Sequence, residues 1–285
     1  MDLVQDVIVF VAGLWAGTIN AVVGSGTLVT FPVLVALGFA PVAATISNAM
    51  GLIAGNVAGS WGYRRELAGL KSTLLMLLPA SVLGGVTGAA LLLHLPESVF
   101  GAVAPYLIVV ALLFVIFQPK LQAWVRSRAD AAAADAPAAD AAAHVTGARV
   151  AGAQATAVDL AGTKLPRRQR VILVILIYLA GVYGGYFVAA QGILLVGILG
   201  VFLRGTIHNA NAMKNILVLG VNIVAAVSYL VFAFDRIIWP VVGLIAAGSL
   251  IGGFVGAAVG RRLPPVVLRT VIVLLGLVAL WNMVF

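Results

Sequence analysis

The sequence predicts an all-α, polytopic membrane protein built from two inverted repeats, each a long glycine-broken segment followed by three membrane helices. Three observations predict it. The 285-residue chain is 63% hydrophobic and 9% charged, with a mean hydropathy of +1.16. A soluble domain is about half apolar and a quarter charged, and could not hide this much apolar surface from water. Apolar stretches of membrane-spanning length recur along the chain. Glycine and asparagine motifs also recur in the same order in the two halves, and internal repeats are a signature of transporter folds.

Taken in order, the apolar segments are 7–39, 41–63, 72–94, 98–117, 171–203, 206–234, 237–260 and 264–285. The first and fifth are longer than one span requires and carry helix-breaking stretches. Segment 7–39 contains AVVGSGTLVT, with Gly24-Ser25-Gly26 near its middle, and segment 171–203 contains Ala189-Ala190-Gln191-Gly192. Gly13-x-x-x-Gly17 answers to Gly181-x-x-x-Gly185, and Asn48-Ala49-Met50 answers to Asn211-Ala212-Met213. Residues 118–170 are Ala-, Asp- and Gly-rich with few large apolar side chains, which predicts a disordered cytosolic linker. The expected domains are therefore 1–117, the linker 118–170, and 171–285. The N-terminus MDLVQD has no basic flank, so residues 7–23 are expected to be a mature membrane segment and not a cleaved signal.

Charge sets the orientation. The formal net charge is +8, but the basic residues lie in loops, where they report topology and not nucleic-acid binding. If each long segment dips in and returns on its own side, with the N-terminus outside, the cytosol receives Arg64, Arg65, Lys71, the linker, Arg204, Arg261, Arg262 and Arg269. Only Arg236 is then left outside. Single crossings with the N-terminus inside would instead expose Arg204, Arg261, Arg262 and Arg269, so the positive-inside rule favours the inverted arrangement.

The breaks are the candidate site. Freed backbone groups cost several kcal/mol each in lipid, so broken helices persist only beside protein or a polar cavity. A helix restarting near Thr27 would aim N–H groups and a positive dipole end at the gap, which is an anion-binding device. A second would restart near Ile193. Glycines such as Gly13, Gly17, Gly84, Gly88, Gly252 and Gly256 read instead as close helix packing. The polar company of the breaks is Asn20, Ser25, Thr27 and Thr30 on one side and Gln191 on the other. Beyond them, Asn211, Lys214, Asn215 and Asn222 share a broad helical face, matched by Thr45, Asn48 and Asn56 in the first half. Lys214 lies roughly 13 Å into its segment at 1.5 Å per residue. An intramembrane charge is a functional-site hypothesis by default, with bonding to carbonyls or helix ends as its structural alternative. His208 could titrate near neutrality or be a surface or capping residue. Asn209 and Asn211 could cap the helix.

These residues resemble a family. Gly13-x-x-x-Gly17, Gly24-Ser-Gly26, Phe31-Pro32-Val-Leu34 and Leu37-Gly38-Phe-Ala-Pro41 resemble the first-half signature of the sulfite exporter TauE/SafE family, with Thr27 where a further glycine is usual. Asn211-Ala-Met-Lys214-Asn215 through Asn222-Ile-Val-Ala-Ala226 resembles its Lys/Asn-bearing helix. The resemblance implies transport of small sulfur-containing or carboxylate anions across the bacterial inner membrane, with the repeats meeting at the substrate. The expected substrate-binding residues are Gly24, Ser25, Gly26, Thr27, Asn48, Gln191, Gly192, Asn211, Lys214 and Asn215.

All nine acidic residues fall at termini, in loops or in the linker. The buried carboxylates that relay protons or hold sodium are missing, which argues against strong cation coupling. Export of an anion from a negative cytosol gains about 2.3 kcal/mol per charge per 100 mV and needs none. An anion channel could use the same helix ends. An intramembrane enzyme would need a nucleophile–base pair or metal ligands. His94, His144 and His208 are far apart in sequence and there is no cysteine. No metal or cofactor is expected. The expected partners are the anion, the lipid bilayer and, through Gly- and Ala-rich faces, a possible second copy.

Overall fold

The structure is a computed structural model that describes residues 1–67, 69–134, 166–202, 207–259 and 265–284. Among them the chain forms α1 (Leu3–Val22), α2 (Thr27–Ala36), α3 (Pro41–Gly62), α4 (Lys71–His94), α5 (Glu97–Ala134), α6 (Arg167–Tyr186), α7 (Gln191–Phe202), α8 (Ile207–Phe232), α9 (Trp239–Val259) and α10 (Pro265–Val284). Seven described helices are long and apolar enough to cross a membrane: α1, α3, α4, the first part of α5, α6, α8 and α9. The short α2 and α7 complete the two interrupted segments.

Local chemistry explains the boundaries. Asp2 opens α1 with a capping box: its side chain accepts from the Gln5 N–H at 2.8 Å, and the Gln5 side chain accepts from the Asp2 N–H at 3.2 Å. Pro41 takes the first position of α3, where its missing N–H costs nothing. α5 runs past residue 117 to Ala134, into the stretch expected to be linker. α6 begins at Arg167, within the other end of that stretch, and residues 135–165 lie outside the described residues, as do Arg204, Arg261 and Arg262.

Glycine packing fixes how the helices lie. A Cβ on Gly13 would meet the Ile245 backbone at 2.9 Å, and one on Gly17 would meet the Ser249 Cα at 2.7 Å. Numbers rise together, so α1 and α9 run in the same direction. Gly51 and Gly55 of α3 meet the same Ile245 and Ser249. Ser249 Oγ also accepts from the Gly55 N–H at 3.1 Å and donates to the Gly51 carbonyl at 3.0 Å. Two helices that touch one partner at the same heights in the same order run parallel to each other. α1 and α3 are therefore parallel, and the chain between them must return. Gly26, just before α2, accordingly lies against Ala16 and Asn20 of α1. The other half repeats the arrangement on α4. Gly181 and Gly185 of α6 meet Ser81 and Gly85, while Val221 of α8 lies against Gly85 and the Leu217 carbonyl accepts from Ser81 Oγ at 3.4 Å. Each half thus lays its first helix on a helix of the other half. The Gly13–Gly17 and Gly181–Gly185 faces thus pack against helices of the same chain.

An ion pair at 3.8 Å joins Glu97, after α4, to Arg236, after α8 and before α9. So α4, α6 and α8 point toward the end of the bundle from which α1, α3 and α9 start. Arg64, Arg65, Lys71, Arg167, Arg168 and Arg170 gather at the opposite end, and the positive-inside rule assigns that end to the cytoplasm.

These contacts generate a contrast. Gly88→Ala would drive its methyl into the Val182 carbonyl and the Tyr186 N–H, and should destabilise the protein by about 1–3 kcal/mol, as overpacking does. A Cβ on Gly101 or Gly243 meets nothing within 4 Å. Gly101→Ala and Gly243→Ala should therefore be neutral or raise stability by up to about 1 kcal/mol through helix propensity. Thermal unfolding in one detergent would rank the three.

Candidate functional site

Each interrupted segment places a helix C-terminus and a helix N-terminus at one point inside the bundle. The last carbonyls of α1 have no partner within the helix and must be satisfied from elsewhere. Lys214 Nζ of α8 donates to the Asn20 carbonyl at 2.9 Å, and Gln118 Nε2 of α5 donates to the Val23 carbonyl at 3.5 Å. Gly24 turns the chain at φ 90°, a conformation that glycine adopts freely. The Gly26 N–H then donates to Asn20 Oδ1 at 3.5 Å.

Helix α2 starts without a side-chain cap. Its first turn is held by α3: Asn48 Nδ2 donates to Thr27 Oγ1 at 3.1 Å, and Thr30 Oγ1 donates to Asn48 Oδ1. Asn20 Nδ2 donates to Asn56 Oδ1 of the same helix. Asn48 therefore fastens the short helix as well as lining the break. It is fully enclosed, as are Thr27 and Thr30.

The second break is made differently. Phe187 ends α6, and the turn passes through Val188 at φ 65° and Ala190 at φ 57°. A left-handed conformation costs a non-glycine residue about 1–2 kcal/mol, and a β-branched one is a genuine outlier. Packing holds the turn in place. Phe187 lies edge-on to Phe31 of α2 with ring centroids 5.4 Å apart, and it also meets Phe100 and Tyr183. Tyr229 Oη donates to the Gly185 carbonyl at 3.1 Å and so serves the C-terminus of α6.

The two breaks touch. A Cβ on Gly24 would lie 2.8 Å from the Gly192 Cα, and one on Gly192 would lie 2.6 Å from the Gly24 Cα. The same position on Gly24 is 3.1 Å from Lys214 Cδ. Gly24, Gly192, Lys214 and Asn20 thus form one contact group, where α1, α2, α7 and α8 converge. Residues in the breaks and on the adjoining helices carry buried polar atoms with no partner: Ser25 Oγ, both amide atoms of Gln191, Asn215 Nδ2 and Asn56 Nδ2. Asn215 faces Gly59, and the Gln191 amide presses on Gly184. Asn222, one residue after the α8–α4 contact at Val221, has both amide atoms unpartnered. Such atoms are costly in an apolar interior unless something bonds to them.

Of the residues expected at the site, Gly24, Gly192 and Lys214 are in direct contact. Ser25, Gly26 and Gln191 adjoin them in the breaks, and Asn215 follows Lys214 on α8. Thr27 and Asn48 are bonded to each other, and Asn211 is buried one turn earlier on α8. His208 is exposed at the start of α8. Lys214 is the only charged side chain buried among the described residues, at 1% exposure. No carboxylate pairs with Lys214 among the described residues. No group of three or more His, Cys, Asp or Glu able to hold a metal occurs among the described residues. Val188, Gln118 and Tyr229 were not expected, and Ala190, expected in the break, was not expected to be left-handed. Gln118 had a signal, a lone carboxamide before proline in LLFVIFQPK, but the segment was bounded one residue short of it.

Discontinuous helices meeting around a buried cation in an apolar bundle define the core of a multi-pass membrane transporter. The chain belongs to the sulfite exporter TauE/SafE family, whose model matches residues 9–283. It is 30% identical over 123 residues to a probable membrane transporter protein of Haemophilus influenzae, covering 42% of this chain and 48% of that protein. It is also 30% identical over 127 residues to the probable membrane transporter protein YfcA of Escherichia coli K12, covering 44% and 46%. The match spans about half the length of these relatives. No solved structure matches. With bacterial relatives and helical spans, this is a protein of the bacterial inner membrane.

The unlike breaks respond oppositely to one methyl group. Gly24→Ala meets both Gly192 and an unfavourable φ, and should lower stability by more than about 1–2 kcal/mol. Ala190→Gly relieves a left-handed alanine and should raise stability by about 1 kcal/mol. Unfolding midpoints of the two variants, measured side by side, check the signs.

Proposed function

We propose that the protein is a secondary carrier that exports small sulfur-containing or carboxylate anions, and that the anion binds where the two breaks meet. The observation that carries this reading is the environment of Lys214. The amine of Lys214 lies inside the bundle with no carboxylate beside it among the described residues, bonded to the Asn20 carbonyl at 2.9 Å. A buried charge is tolerated only when paired or well solvated by dipoles. A transported anion would supply the missing partner, and Ser25, Gln191 and Asn215 would supply hydrogen bonds from atoms that now have none.

The reading extends to mechanism. Residues 1–117 and 171–285 act as inverted repeats that move about the shared site, exposing it to each side in turn. The exchange of first helices between the halves supports this, because a rocking motion about such contacts carries both breaks together. The chain between α5 and α6 links the repeats on the side that the positive-inside rule assigns to the cytosol. The family is named for sulfite export, and small oxyanions such as hydrogensulfite, sulfonates and short monocarboxylates suit a lysine among neutral donors. With the cytosol negative, outward movement of each charge is favoured by about 2.3 kcal/mol per 100 mV. Carriage also fits the chemistry of the site better than catalysis. Carboxamides, a hydroxyl and one amine can bind and release an oxyanion, whereas bond cleavage needs a nucleophile with a base beside it.

The test is sulfite flux in proteoliposomes. The wild-type chain should give saturable flux. Lys214→Met should lower it at least about a hundredfold, the scale on which removing one preorganised charge acts, while detergent gel filtration stays monodisperse. Undiminished flux in the variant would remove Lys214 from the site, and flux that never saturates would favour a channel.

A further inference from the structure

We infer that the site selects its anion by charge, taking monovalent oxyanions and rejecting divalent ones of the same shape. This rests on the anion-carrier reading and adds the valence of the substrate to it. The argument begins with the helix ends. A helix terminus carries about half a charge, positive at the N-terminus and negative at the C-terminus. Two N-termini beside one lysine would suit a dianion. A broken helix, however, brings both of its ends to the break. At the first break the C-terminus of α1 lies beside the N-terminus of α2, since Gly26 rests against Ala16 and Asn20. At the second, Tyr186 ends α6 and Gln191 begins α7, with four residues between them. To first order the half-charges cancel within each break.

What remains is Lys214. It is the sole charged side chain buried among the described residues, and its ammonium is partly compensated by the carbonyl at the negative end of α1. Among the described residues the other groups at the site are neutral: Ser25, Gln191, Asn56, Asn215 and the Asn48–Thr27–Thr30 cluster. Neutral donors recognise oxygen atoms without balancing a second charge. A monoanion would leave the filled site neutral. A dianion would leave one uncompensated negative charge in an apolar interior, where it is costly. The unpartnered donors Ser25 Oγ, Asn56 Nδ2, Asn215 Nδ2 and Gln191 Nε2, each on a residue buried to 3% exposure or less, give the shape recognition. The single lysine gives the charge count.

Three tetrahedral sulfur compounds of similar size separate charge from shape: dimethyl sulfone, methanesulfonate and sulfate, with charges of zero, minus one and minus two. The experiment is isothermal titration of the purified full chain at neutral pH and constant ionic strength. Methanesulfonate should bind saturably, sulfate at least about tenfold more weakly, and dimethyl sulfone more weakly still, because a buried unpaired charge and a missing charge are both penalised. Sulfate binding as tightly as methanesulfonate, or tighter, would overturn the valence rule and leave the anion-carrier reading standing. Binding of dimethyl sulfone equal to that of methanesulfonate would also overturn it, by showing that charge is not read. Absence of binding for methanesulfonate, sulfate and sulfite alike would overturn the carrier reading and this inference with it. Because all comparisons use the wild-type chain, no result depends on a variant folding.

Discussion

The bond from Lys214 Nζ to the Asn20 carbonyl is the contact on which the centre of the molecule turns. It joins a charge from the second half to a helix end in the first half. It also answers two needs at once. The ammonium gains a polar partner inside the bundle, and a carbonyl orphaned by the break gains a donor. In lipid neither could remain unanswered, since each unpaired backbone group costs several kcal/mol. The same accounting explains Gln118 on the Val23 carbonyl and Tyr229 on the Gly185 carbonyl. Side chains from neighbouring helices close the circuits that the interrupted helices leave open.

That requirement orders the rest of the fold. The polar side chains must come from helices that lie close enough to reach, and close approach requires small residues at the crossings. Glycines meet backbone along α1–α9, α3–α9 and α4–α6, three pairs that join the halves. Ser249 does the same for α3, bonding to the backbone at Gly51 and Gly55. Tight crossings and buried polar bonds are therefore one design. The first brings backbone near backbone, and the second satisfies the groups left over.

Much of this was legible in the sequence because apolar length, glycine spacing and the placement of charge follow bilayer physics directly. The spans, both interruptions and the depth of Lys214 could be read from 1.5 Å per residue and the absence of charge. The linker boundary was not, because an Ala-rich continuation such as 118–134 has high helix propensity but no apolar pattern to reveal it. The second break was only half visible. Gln191 and Gly192 marked its far edge, but its turn is made by Val188 and Ala190 in left-handed conformations. Propensity argues against that choice, so only the surrounding packing could reveal it. Asn48 shows a further limit. Its polarity marks it equally for a ligand and for Thr27 and Thr30, and sequence carries no sign of which partner is nearer.

The two breaks meet as equals in position but not in energy. At the first, glycine makes the turn without strain, and carboxamides fasten the ends. At the second, two residues hold a conformation that each would leave if free, at about 1–2 kcal/mol apiece. The force that keeps them there is the packing of Phe187 against Phe31, Phe100 and Tyr183, with Ala189 and Ala190 enclosed beside it. Strain of this kind persists only where its surroundings over-determine it. Here the surroundings include α2, the short helix of the opposite half. The conformation of one break is thus written partly into the position of the other, through an aromatic contact and through the Gly24–Gly192 approach. A displacement of α2 that separates Phe31 from Phe187 would remove part of what holds Val188 and Ala190 in place, so a shift at one break is felt at the other.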